Sequence, residues 1–69
     1  MYRVFTTESY EKSAALSQLF INNGIAHYIH PLKNGTIVIT ASDLYKHKSV
    51  PIYHEILKLA VSIKDEDYY

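Results

Sequence analysis

The chain has 69 residues, 48% of them hydrophobic, with seven basic and seven acidic side chains that cancel at neutral pH and no cysteine. This length allows one domain with a thin core, because so short a chain hides only about 60% of its unfolded surface. The composition excludes disulfides and thiolate metal sites, and the neutral balance lacks the basic footprint of a general nucleic-acid binder.

No apolar run approaches the roughly 20 residues that span a bilayer. Met1 to Phe5 leads straight into strand-like sequence without the pattern of a signal peptide, so the expectation is a soluble, cytoplasmic protein without a membrane partner. With no covalent reinforcement for a small core, a homodimer is expected.

Tyr2 to Thr6 alternates as a short strand, with Tyr2, Val4 and Thr6 on one face and Arg3 and Phe5 on the other. The alternation leaves open which face is inward. Thr6-Thr7-Glu8-Ser9 offers N-capping hydroxyls, and Glu8 and Glu11 suit the positive end of a helix dipole. The helix that follows runs to about Asn22 or Asn23, with Gly24 placed as a left-handed C-cap. Its predicted core stripe is Ala15, Leu16, Leu19 and Phe20, extended by the stem of Lys12 and by Asn23. A second stripe on the opposite side, Tyr10, Ala14, Ser17 and Ile21, reads either as ordinary surface or as a contact face for another helix.

Gly24 to Ala41 carries a hairpin signal, two β-branched and aromatic runs around Asn34-Gly35. Pro31 selects the register. A two-residue turn would place Pro31 at a hydrogen-bonded position, where it has no N–H to give. A three-residue turn, Lys33-Asn34-Gly35 with Gly35 left-handed, pairs Leu32 with Thr36, Pro31 with Ile37 and Ile29 with Ile39. The first strand of the hairpin is then an edge. Ile25, His27, Ile29, Pro31, Ile37, Ile39 and Ala41 share one face, while Tyr28, His30, Leu32, Thr36, Val38 and Thr40 share the other.

Ser42-Asp43 is a second capping signal, leading into Leu44-Tyr45-Lys46-His47-Lys48. Pro51 then allows two readings: a short turn ending near Lys48 with a second helix capped by Ser49, which is preferred, or one helix from Asp43 kinked at Pro51. Ile52, Ile56, Leu59, Ala60 and Ile63 form its apolar stripe, with Tyr53 at the edge. This predicts a helix to about Lys64 and places residues 1–64 in the domain, with Asp65-Glu66-Asp67-Tyr68-Tyr69 as an acidic, aromatic tail.

The predicted fold is α+β: a β-α-β-β-α two-layer sandwich with a three-stranded antiparallel sheet in the order 1-3-2, helices on one face, ferredoxin-like but lacking the fourth strand. The first strand is left as a second open edge.

Four features together resemble a family of small bacterial signal-transducing domains of unknown function. They are the N-terminal strand (Met1 to Thr6), Ala14-Ala15-Leu16 with Leu19, the phrase Asn23-Gly24-Ile25-Ala26, and the late strand ending in Asp43. Pro51 and Tyr45-Lys46-His47-Lys48 depart from that family's last helix, which is rich in Glu, Ala and Leu. The resemblance implies the ferredoxin-like fold and assigns no functional residue.

Chemistry-bearing residues are sparse. His27 and His30 are three apart on one strand and so face opposite ways, and Pro51 separates His47 from His54. Asp43 and His47 alone make too weak a pair for a metal. No cysteine nucleophile, glycine-rich phosphate loop or nucleophile elbow is present, and His54 and Glu55 diverge on a helix. The expectation is no enzyme, no metal and no cofactor.

The outward sheet face is the richer surface. Tyr28, His30 and Val38 stand there, joined by Arg3 and Phe5 if the first strand turns Val4 inward. With Tyr10, Ala14, Ser17 and Ile21 these form the candidate interaction surface. The leading expectation is a non-catalytic protein-binding or regulatory module that self-associates. Two alternatives are a small phage or mobile-element protein that binds and inhibits one host protein, and single-stranded RNA binding on the sheet face, which the neutral charge disfavours.

Overall fold

A computed structural model describes residues 2–42, 44 and 46–66. The described residues run β1 (Tyr2–Thr7), α1 (Tyr10–Asn22), β2 (His27–Pro31), β3 (Ile37–Ser42), α2 (Lys46–Ser49), a 3-10 turn (Val50–Ile52), α3 (Tyr53–Leu59) and β4 (Ser62–Glu66). All strand pairings are antiparallel, and the sheet order is β2-β3-β1-β4.

Ser9 caps α1, its side chain accepting a hydrogen bond from the Lys12 N–H at 3.2 Å. At the other end Ile25 N–H donates to the Phe20 carbonyl and Gly24 N–H to that of Ile21. This is a Schellman motif, and Gly24, at φ +67°, supplies the left-handed residue that it needs. The motif reverses the chain and drives Ile25 into the same core as Phe20.

The hairpin adopts the expected register, with Ile29 opposite Ile39 and Pro31 opposite Ile37. Leu32 N–H donates to the Thr36 carbonyl at 2.8 Å, Gly35 sits at φ +88°, and the Asn34 side chain accepts from Thr36 N–H. β2 is an edge strand and β3 is interior, as Pro31 requires. Ile39 is fully buried on the helix-covered side. Ile29 points to the same side but remains 47% exposed, because it sits on the edge strand with a neighbouring strand on one flank only.

The three-stranded sheet is corrected to four strands. Helix α3 stops at Leu59, and Ala60 is already extended (φ −96°, ψ 133°). Val61 N–H then donates to the Thr6 carbonyl at 2.7 Å, and Ser62–Glu66 pairs along β1. Asp65 and Glu66, expected in a tail, are the last residues of this strand. The edge of β1 that the shorter sheet left open is thereby paired. Ile63 reaches the core from a strand, opposite Phe5, rather than from a helix. The element order β-α-β-β-α-β with strand order 4-1-3-2 completes the ferredoxin-like topology.

Helical structure between β3 and β4 is broken at Pro51. The short α2 ends at Ser49, a 3-10 turn carries Pro51, and α3 starts at Tyr53, so Ser49 precedes the 3-10 turn rather than capping a helix with its side chain. Asp43 and Tyr45 of the expected short turn lie outside the described residues, as do Met1 and 67–69 of the expected tail.

The core lies between the sheet and the helices, built from Phe5, Leu16, Phe20, Ile25, Ile39, Ala41 and Ile56. The rings of Phe5 and Phe20 meet at 5.1 Å between centroids, tilted by 58°. The buried stripe of α1 is Ser13, Leu16 and Phe20, with Leu19 at its border. Ala15 and Lys12, assigned to the core side, are exposed instead.

Candidate functional site

Strand register assigns every β residue to a side of the sheet. Phe5 pairs with Ile39 and Ile63, and Arg3 with Ala41 and Asp65, so both belong to the helix-covered side. Phe5 is 2% exposed and is removed from the candidate interaction surface. The physical reason is volume: the larger ring fills the space beneath α1, and the smaller Val4 takes the outer face. Arg3 follows Phe5 to the covered side.

The open face therefore carries Tyr2, Val4 and Thr6 from β1, Tyr28 and His30 from β2, and Val38, Thr40 and Ser42 from β3. None of these is Lys, Arg, Asp or Glu. Formal charge enters only on β4, where Lys64 is opposite Val4 and Glu66 opposite Tyr2. In a chain where 20% of residues are charged, three adjacent strands present an uncharged surface.

That surface is not flat. Tyr2, Tyr28, His30, Leu32, Val38 and Thr40 line an open hollow of about 470 Å³. Its floor is the central strand, where Thr40 is only 8% exposed, and Val4 beside it only 9%. Its rim includes Tyr28, 69% exposed, and Leu32 just beyond the end of β2. His30 Nε2 lies 3.2 Å from Thr40 Oγ1, which holds the imidazole down across β3. Sequence reading placed Tyr28, His30 and Val38 together on this face. It did not foresee Tyr2 and Leu32 as its walls, although the face assignment of Leu32 contained that information.

The second candidate stripe divides. Tyr10, Ala14 and Ile21 are exposed on α1. Ser17 instead turns to the sheet, its Oγ 2.6 Å from His27 Nε2, while His27 Nδ1 lies 3.0 Å from the Ile25 carbonyl. A carbonyl only accepts, so Nδ1 carries the proton and, in neutral imidazole, the Ser17 hydroxyl donates to Nε2. The Phe20 ring packs against the imidazole at 5.3 Å, edge to face.

Hydroxyl, imidazole and orienting acceptor are the parts of a serine nucleophile site. Here they lie on the helix-covered side, and the hollow lies across the sheet from them, so it offers them no substrate. The contact instead pins the edge strand to α1. Among the described residues no group of three or more His, Cys, Asp or Glu side chains is placed to hold a metal ion. No helix among them is long and apolar enough to cross a membrane. Compared with known proteins, the chain matches no family model, no curated protein and no solved structure.

Proposed function

We propose that this chain is a non-catalytic protein-binding module and that the open sheet face is its binding surface. The observation that carries this reading is the uncharged, aromatic-rimmed hollow spanning β2, β3 and β1. Interface centres are depleted in charge and enriched in aromatic side chains, and Tyr28 at the rim is the residue type that anchors such contacts. Absence of Lys and Arg from the open face of these three strands weighs against single-stranded RNA, which needs cations along its backbone as well as stacking rings. Removal of Phe5 to the core takes away one of those rings.

A photoreactive phenylalanine analogue at position 28, in cells, tests the reading. Irradiation is expected to attach the chain to protein, whereas the same group at Ile21 on α1 gives little product. Equal labelling from both positions, or none from position 28, would sink it.

A further inference from the structure

The sheet face has a knob beside a hole. Tyr28 stands 69% exposed at the rim of the hollow, and the hollow opens next to it on the same surface. A patch that carries both parts has what a two-fold rotation needs to pair it with a copy of itself, as an isologous dimer requires. We infer that the occupant of the open face is a second copy of this chain, with Tyr28 of each copy seated in the hollow of the other. This rests on the binding role proposed above and names its partner.

Three further observations support that occupant. The molecule measures 31 × 28 × 17 Å, as expected of one sheet layer and one helical layer. A 31 × 28 Å elliptical outline encloses about 700 Å², the most that one face of the molecule, β4 included, can give towards the roughly 800 Å² per partner of a standard interface. The open-face residues of β1, β2 and β3 are of uncharged types, so two like faces can meet there without charge repulsion, which a face of one sign would forbid. Finally, the hollow is apolar at its rim, and His30 Nε2 and Thr40 Oγ1 are already bonded to each other, so covering it leaves these two atoms partnered.

β4 matters to this arrangement. It pairs the outer edge of β1, so β1 is not available to extend the sheet into a neighbour. β2 keeps an open edge, but Pro31 lacks a donor there. The other edge of the sheet is β4, and a dimer paired through it would be indifferent to Tyr28→Arg.

Sedimentation equilibrium on the wild-type chain, Tyr28→Arg and Ile21→Arg tests the inference, with circular dichroism to verify that each variant is folded. Wild type and Ile21→Arg are expected to sediment at twice the 8.0 kDa chain mass at high micromolar concentration. Tyr28→Arg is expected to dissociate, with Kd raised about thirtyfold or more. A monomeric wild type, or a dimer indifferent to Tyr28→Arg, overturns the second copy as occupant. If the chain is monomeric yet position 28 still cross-links to another protein, the inference fails and the binding role stands. If both measurements are negative, both fail.

Discussion

Ser17 Oγ and His27 Nε2 approach to 2.6 Å, the contact that fastens the middle of α1 to the edge strand β2. The two residues are ten apart in sequence, on opposite sides of the Schellman turn at Gly24. Their bond, the Phe20 ring against the imidazole, and the Ile25 carbonyl on Nδ1 form one small cluster. Its effect on the molecule is structural, because the strand it holds carries Tyr28 and His30 on its other side.

That cluster predicts coupling between its members. Ser17→Ala is expected to cost about 1 kcal/mol, the usual net value of a partly buried hydrogen bond. A double-mutant cycle with His27→Gln, followed by urea unfolding, should show the two effects to be non-additive. Simple additivity would mean that the contact contributes nothing of its own.

Phe20 is the centre of the core, touching both Phe5 and His27. Truncation to alanine in a buried site costs about 3–5 kcal/mol, and a core of this size supplies about that much in total. Phe20→Ala is therefore expected to lose its cooperative thermal transition. A sharp transition within a few degrees of wild type would contradict the packing.

Gly24 stands at φ +67°, and a Cβ there would also come within 3.3 Å of Lys48 Nζ, whose ammonium donates to the Gly24 carbonyl. Gly24→Ala should destabilise by about 1–2 kcal/mol, and Gly24→Asn by less, since asparagine tolerates the left-handed region. Equal losses in chemical denaturation would show that backbone conformation is not the cause.

Thr40→Val keeps the shape of the hollow's floor and removes the oxygen near His30. His30 is exposed, so water replaces the lost partner and stability should change by no more than about 0.5 kcal/mol. Because covering the hollow then leaves His30 Nε2 without its partner, self-association should weaken, measurable by the same sedimentation experiment. Tighter association would mean that the apolar shape of the hollow, rather than the Thr40–His30 bond, serves the interface.

Much of this architecture was legible from particular residues. Pro31 and Asn34-Gly35 determined the hairpin register and the edge position of β2, because one residue of slip would have put proline at a bonded site. Gly24 and Ser9 marked the ends of α1 by backbone chemistry alone.

The failures have equally local causes. Ile63 falls at helical spacing from Ile56, Leu59 and Ala60, so its stripe extended the last helix through what is β4. The competing signals were the β-branched Val61 and Ile63 alternating with Ser62 and Lys64, and the unpaired edge of β1. For β1 itself, alternation permits two orientations, and only the fit of the Phe5 ring against Phe20 chooses between them. Ser17 looked like part of an outer stripe because its partner, His27, becomes its neighbour only after the chain reverses at Gly24.

With no native cysteine, the open face can be probed by single cysteines placed at will. Maleimide labelling of Leu32→Cys, at the rim of the hollow with Tyr28 left in place, and of Ile21→Cys, compared between living cells and dilute purified protein, reports directly whether that face is covered where the protein works. A covered face predicts that position 32 labels several-fold more slowly in cells while position 21 is unchanged. Equal labelling of position 32 in both settings would contradict the open sheet face as the binding surface.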